Sequence, residues 1–202
     1  MFSIELPELI EQALCTRRPQ TIENGLNIYL ESAVLVPLLK EGSDYKVLLT
    51  KRTAKVHAHK GQISFPGGAV DPTDSSFEHT ALREAQEEIG LLSDHVTLLG
   101  RLDDMLTMAS NFIIHPVVGF IPYPYEFRLH SFEVQKLILA PLQVFLRSSG
   151  QNNLESVEFE GRVYSSLAYH YNGHVIWGAT ARILENLARI LDEKIDLPGG
   201  AG

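Results

Sequence analysis

Residues 61–91 read GQISFPGGAVDPTDSSFEHTALREAQEEIGL, and the rest of the chain is organised around them. The second half has helical periodicity from Phe77 to Leu91, about four turns. Asp74, Ser75 and Ser76 offer N-cap side chains, and Gly90 stands where a glycine usually ends a helix. Glu84, Glu87 and Glu88 fall at i, i+3 and i+4, so their carboxylates project to one side. Like charges at that spacing cost about 0.2–0.5 kcal/mol per pair in an isolated helix. Arg83 can pair with Glu87, but one arginine cannot neutralise three glutamates. A divalent cation can, and clustered carboxylates with room for waters suit a hard ion, Mg2+ or Mn2+. Ahead of the helix, Phe65-Pro66-Gly67-Gly68 lets the backbone turn sharply and come close to an ion or ligand. The Gly68 carbonyl would add a neutral metal ligand. Magnesium bound by few carboxylates usually shares its shell with substrate phosphates, so the chemistry implied is metal-assisted attack on a phosphate anhydride. Taken alone, such a glutamate face usually means solvated helix; Arg83, Gly90 and the upstream glycines shift the balance to a metal site.

Around this stretch the charge is uneven. The chain carries 25 acidic and 17 basic residues, a formal charge of −8, which makes it a poor general binder of nucleic acid. An anionic substrate then needs metal bridges or a local basic patch. Lys51, Arg52, Lys55, His57, His59 and Lys60 form the densest positive segment, directly before the acidic helix, and are placed to hold substrate phosphates. His57 and His59 have no further histidine or cysteine at zinc-site spacing, which argues against zinc. A single cysteine, Cys15, excludes an internal disulfide and fits a reducing compartment. No apolar run approaches the roughly 18 residues of a membrane span, and no signal peptide is apparent, so a cytoplasmic location and no membrane partner are expected.

The stretch resembles the Nudix box: a glycine, five residues, a glutamate, seven residues, then Arg-Glu-aliphatic-x-Glu-Glu-x-Gly-aliphatic. Gly68 opens it, and Arg83-Glu84-Ala85-Gln86-Glu87-Glu88-Ile89-Gly90-Leu91 closes it. Asp74 replaces the middle glutamate, and eight residues separate it from Arg83. Those departures, with Leu48-Leu49-Thr50-x-Arg52 upstream and Thr80-Ala81-Leu82 before the arginine, resemble the coenzyme A diphosphatase branch of the Nudix hydrolases. The resemblance implies an α/β Nudix fold, an α/β/α sandwich around a mixed β-sheet. It implies hydrolysis of coenzyme A or acyl-coenzyme A to 3′,5′-ADP and 4′-phosphopantetheine or its acyl form. It further implies that Glu84, Glu87 and Glu88 hold Mg2+ or Mn2+, and that Arg83 orients them. Glu84 or a loop glutamate, Glu133, would be the general base. Asp71 and Asp74 are outer candidates for holding a metal or its waters. Lys51, Arg52, Lys55, His57 and Lys60 would bind substrate; the branch usually carries a basic residue near His57. Alternative readings are a Nudix hydrolase of ADP-ribose or NADH and, from a different class, a non-catalytic Nudix-fold binding module. Retention of all three box carboxylates argues against the last.

Outward from the box, residues 4–16 have one apolar helical face (Leu6, Leu9, Ile10, Ala13, Leu14), and 17–28 read as a connector. Ala33–Leu39 and Tyr45–Thr50 read as a hairpin, with Pro37 suggesting a bulge or an edge position. Val96–Asp104 reads as strand and loop, and Phe112–Ile121 as a strand with a proline bulge whose His115 is a satisfied structural histidine. Tyr123 and Tyr125 are placed to line the substrate mouth. Strands at 137–140, 157–160, 163–171 and 175–177 precede a final amphipathic helix, 178–194. The division is an N-terminal helix and connector, 1–28, a catalytic domain, 29–195, and a tail, 196–202. The partner expected is a small-molecule substrate, for a monomer or a homodimer.

Overall fold

The computed structural model describes residues 5–54, 60–107, 111–146, 154–159 and 161–194. The hairpin at its centre runs from β1 (Leu30–Glu41) to β2 (Asp44–Arg52), with Glu41 opposite Asp44 across Gly42-Ser43. Both strands outrun their apolar centres because pairing continues into the polar ends. β1 also pairs in parallel with β7 (Phe112–Phe120), from Leu30 opposite Phe112 to Leu38 opposite Phe120. The other pairings are antiparallel: β3 (Ile63–Ser64) and β8 (Val134–Pro141) with β2, β4 (Gly67–Ala69) with β1, and β5 (Thr97–Arg101) and β6 (Met105–Leu106) with β7. The mixed sheet expected from the sequence is present.

The prolines do not bulge it. Pro37 holds regular register opposite Gly119, and Pro116 opposite Val34. On the other flank of β1, the pairing changes from β4 (at Ser32–Val34) to β2 (at Leu38–Glu41). Pro37 lies in that seam, where no ladder bond is demanded of its missing N–H. Pro116 lies in the matching seam of β7, between β6 and β5.

Helices cover both faces. α1 (Leu6–Cys15) and α4 (Gly178–Lys194) bury Ile10, Leu14, Ile183, Leu184, Leu187 and Leu191 against Val36, Leu38, Val47 and Leu49. α2 (Phe77–Ile89) buries Ala81, Ala85 and Ile89 against Ala33, Leu35, Leu48 and Val117 on the opposite face. Two alanines on that helix let it lie close to the sheet. A short α3 (Gln143–Leu146) follows β8. β9 (Leu154–Phe159), β10 (Arg162–Tyr171) and β11 (His174–Trp177) form a separate three-stranded sheet. Its last turn, Asn172-Gly173, has φ of +47° and +73°, the geometry for which that dipeptide is favoured.

Candidate active site

α2 begins at Ser76, whose side chain accepts from the His79 N–H, and stops at Gly90, in the left-handed region with φ +68°. The helix is thus a little shorter than its periodicity suggested, because Gly90 is the cap rather than a member. Its buried face carries Ala81, Ala85 and Ile89, and the edge of that face carries Glu88. Packing the alanines on β1 therefore draws a carboxylate inward with them.

The three glutamates meet different surroundings. Glu87 is exposed, Glu84 is partly covered and Glu88 is only 4% exposed. Burial pushes the Glu88 carboxyl up to about 8; Arg52 opposes the shift, while the charges of Glu133 and Glu84 add to it. Burial likewise raises Glu84, opposed by Arg83. Among the described residues Glu88 Oε2 has no hydrogen-bond partner, although it is buried. Desolvated, unpartnered carboxylate oxygens are costly, and a cation is what compensates them.

Arg83 is fixed rather than free. Its Nε and Nη2 donate to both oxygens of Asp74 at 3.0 and 2.9 Å, Nη2 also donates to the Ala69 carbonyl at 3.1 Å, and Nη1 donates to Glu84 at 2.7 Å. The i+4 contact with Glu87, at 3.5 Å, is the weak one. Asp74 in turn accepts from Thr80 Oγ1 and the Asp71 N–H, both at 2.9 Å, and its side chain is 1% exposed. The expectation that Asp74 helps hold a metal or its waters is corrected here: its lone pairs are taken by Arg83, Thr80 and the backbone. Asp71 is exposed and accepts from the Thr73 N–H and hydroxyl at 2.9 and 2.7 Å, both at Oδ1 within its own turn. The aspartate in place of the box glutamate anchors the arginine that in turn holds Glu84.

β4 explains the paired glycines. A Cβ on Gly67 would meet the Ala33 carbonyl at 2.5 Å, and one on Gly68 would meet the Glu84 carboxylate at 2.4–2.5 Å. Backbone and carboxylate share a space that no side chain can enter. Gly68→Ala is accordingly expected to displace Glu84 and lower turnover by on the order of a hundredfold. Steady-state kinetics beside a thermal melt would check this; near-normal turnover would mean that the crowding is relieved without cost.

Glu133 lies within electrostatic reach of the box glutamates. Its carbonyl accepts from the Thr53 N–H and its own N–H donates to the His130 carbonyl, both at 2.9 Å, which fixes the loop before β8. Its charge bears on both Glu84 and Glu88. The His130 amide donates to the Glu88 carbonyl at 2.8 Å, tying the same loop to the end of α2.

The basic segment divides. Arg52 reaches Glu88, at 3.5 Å, and its Nε is buried without a partner among the described residues. Lys51 does not stand beside the carboxylates. It lies opposite Lys136 in the β2–β8 ladder and near His174, and the register shifts between Lys51 and Arg52. Lys60 is exposed, and Lys55, His57 and His59 lie outside the described residues. The tyrosines placed at the substrate mouth pack elsewhere: Tyr125 bonds the Leu92 N–H and the Gly90 carbonyl, and Tyr123 bonds Glu41. Both join the apolar cluster beneath α2 because that helix end needs covering.

His115 is structural, as its apolar strand suggested. It is buried between Asp104, at 2.8 Å, and Glu31, and it stacks on Phe77 with 3.5 Å between ring centres. Those partners lie far from His115 in the chain, and nothing in its own strand marks them.

Among the described residues no three carboxylate, imidazole or thiol groups already converge on one point. Glu84 and Glu88, with the orphaned oxygen of the latter and the side-chain-free space at Gly68, nevertheless fit a divalent cation in charge and donor type.

The chain matches the NUDIX domain model over residues 30–136. It is 37% identical over 158 residues to an uncharacterized Nudix hydrolase, NudL, of Photorhabdus laumondii, covering 78% of this chain and 83% of that one. It is 39% identical over 166 residues to the NudL of Pectobacterium atrosepticum, covering 81% and 84%. Among solved structures, a MutT/nudix family protein from Enterococcus faecalis superposes with a TM-score of 0.57 at 16% identity, over 94% of this chain and 70% of that one. A NUDIX hydrolase from Alicyclobacillus acidocaldarius superposes with a TM-score of 0.51 at 21% identity, over 59% and 82%. The fold, the box and the relatives agree: this chain belongs to the Nudix hydrolases, enzymes that act on pyrophosphate bonds.

Proposed function

We propose that the protein cleaves the diphosphate of coenzyme A or an acyl-coenzyme A, releasing 3′,5′-ADP and 4′-phosphopantetheine or its acyl form. Arg52 carries this reading. It ends the Leu48-Leu49-Thr50-x-Arg52 segment that resembles the coenzyme A branch, and it stands against Glu88 of the box. The branch-marking segment and the box carboxylates thus belong to one constellation, which supports a shared substrate.

Glu84, Glu87, Glu88 and the Gly68 carbonyl are the groups that would hold Mg2+ or Mn2+. Such an ion, when bound, draws charge from phosphorus and lowers the pKa of water. Arg83, clamped by Asp74, holds Glu84 in line. Glu133 is the better placed general base, because Glu84 is engaged by Arg83 while the described partner of the Glu133 carboxylate is His130, at 3.4 Å. The water oxygen bonds to one phosphorus, its proton passes to Glu133, and the bridging oxygen leaves with the electron pair of the broken P–O bond. Lys55, His57 and Lys60 would meet the substrate phosphates. Residues 29–195 form the catalytic unit, working in the cytoplasm.

The test is hydrolysis of coenzyme A, acetyl-coenzyme A, ADP-ribose and NADH, each with magnesium and with manganese. Preference for the first two supports the reading; preference for ADP-ribose or NADH replaces the substrate and keeps the chemistry. Glu133→Gln is expected to lower kcat by about 10²–10⁴-fold with little change in KM. If Glu84→Gln shows that pattern and Glu133→Gln does not, the base is Glu84.

A further inference from the structure

A second cationic feature lies off the carboxylate ridge. β8 pairs with β2 along one side, and among the described residues its other side has no strand partner. Along that free side runs an open cleft of about 240 Å³, closed opposite by the β10–β11 turn and lined by Lys136, Tyr171, Asn172 and His174 besides the strand itself. The Tyr171 hydroxyl donates to the Leu139 carbonyl at 3.3 Å, which holds the turn against the strand. Among the described residues no carboxylate lines this cleft.

The cations here are spare. Lys51 lies opposite Lys136 in the ladder, and Leu49 opposite Ile138, so the two lysines extend the face that packs on α4, away from Glu88. Among the described residues neither lysine pairs with a carboxylate, although the chain is acidic and both other lysines of the described strands are paired, Lys40 to Glu5 and Lys46 to Glu41. His174 lies by both: its own burial and then the charges of Lys136 and Lys51 hold its pKa below the ordinary value. Two like charges kept adjacent beside an imidazole, at a sheet edge with no second strand among the described residues and with Asn172 in the same lining, suit a compact dianion.

We propose that the cleft between the free edge of β8 and the β10–β11 turn is a phosphomonoester site, lined by Lys136, His174 and Asn172 with Lys51 opposite Lys136 in the neighbouring strand, that holds the substrate phosphate which is not cleaved. This rests on the coenzyme A reading, in which the ribose carries a 3′-phosphate besides the diphosphate. The spacing suits it. Lys136 lies three strand residues beyond Glu133, roughly 10 Å, and Lys51 immediately precedes Arg52. The cleft thus lies on the α4 face, a short way along β8 from the loop that carries Glu133, and a ligand would have to pass the free edge of β8 to reach both it and the carboxylates.

The experiment compares coenzyme A with dephospho-coenzyme A, which differ only in that phosphate, for the wild type, Lys136→Gln, Lys136→Arg and the Lys51→Gln/Lys136→Gln pair. Calorimetry of 3′,5′-ADP against 5′-AMP, without metal, gives a readout independent of turnover. The wild type is expected to favour the phosphorylated member of each pair. Lys136→Gln should reduce the preference by on the order of tenfold, the double variant should bring it near unity, and Lys136→Arg should keep it. A preference that survives the double variant overturns the site while leaving the coenzyme A reading intact. Absence of any wild-type preference in both assays also overturns it. If the wild type hydrolyses neither coenzyme, the substrate reading fails; a calorimetric preference for 3′,5′-ADP that the double variant abolishes would still establish the anion site.

Discussion

Glu88→Gln will lower turnover by on the order of a thousandfold while the protein stays folded. The two halves of that result have one origin. The Glu88 side chain is buried, one of its oxygens has no partner among the described residues, and its carboxyl is pushed up to about 8 by that burial. Evolution rarely keeps an ionisable group in such a place for stability, since a desolvated carboxylate weakens the fold. An amide of the same shape removes the penalty together with the cation site. Melts in chelator at pH 8 should therefore place the variant at or above the wild type, although Arg52 loses its partner; that guanidinium is 24% exposed and can turn to water. Glu87→Gln should lose comparable turnover with no change in stability, because Glu87 is exposed. Near-normal turnover of both variants with magnesium would remove the metal assignment; unfolding of Glu88→Gln would make the residue a structural one.

Asp74→Asn is the opposite case, in which stability and activity fall together. Asp74 takes two hydrogen bonds from Arg83, one from Thr80 and one from the Asp71 amide, in a buried position. Breaking a buried ion pair on one side costs about 3 kcal/mol. The Arg83 guanidinium holds the Asp74 carboxyl well below the usual carboxylate range, with its bonds from Asp71 and Thr80 adding to the effect and burial opposing it. Between that depressed value and the ordinary one near 4, the unfolded chain binds the proton that the folded chain refuses. The contribution is therefore complete above about pH 4 and fades as pH falls toward the folded value. Urea titrations should show the full gap between wild type and variant at pH 7 and a narrowing one at pH 3. Turnover should fall by about 10–100-fold, since the residue that positions Glu84 has lost its anchor. A gap as wide at pH 3 as at pH 7 would show that the pair is not what stabilises this corner.

Much of this site was visible in the amino-acid string because its signals are local. The spacing of Glu84, Glu87 and Glu88, the cap at Gly90 and the glycines ahead of the helix all lie within one stretch, where helical geometry alone relates them. The limits of the reading follow from the same fact. Lys51 and Arg52 are neighbours in the chain, yet strand alternation and the register shift between them send one toward His174 and the other toward Glu88. Asp74 looked like a further metal carboxylate because its type was legible and its partners were not. Pro37 and Pro116 looked like irregularities because only the sheet as a whole shows that each falls in a seam between two partners. Tyr123 and Tyr125 were read as part of the mouth, whereas the need to cover the end of α2 draws them under it. Glu133 required the family pattern, since nothing in its own neighbourhood marks a loop glutamate as belonging with carboxylates far earlier in the chain.

The parallel pairing of β1 with β7 has a consequence for how this enzyme comes into being. All three box glutamates lie on the segment between those two strands, and the apolar side of α2 rests on residues from both, Ala33 and Leu35 from one and Val117 from the other. The ridge cannot be matured before that long loop of chain closes, nor transplanted as a peptide that keeps its shape. A nascent chain released before residue 112 would contain every box glutamate and still lack part of the floor that aligns them, so the ridge takes its shape only once β7 has been made and paired.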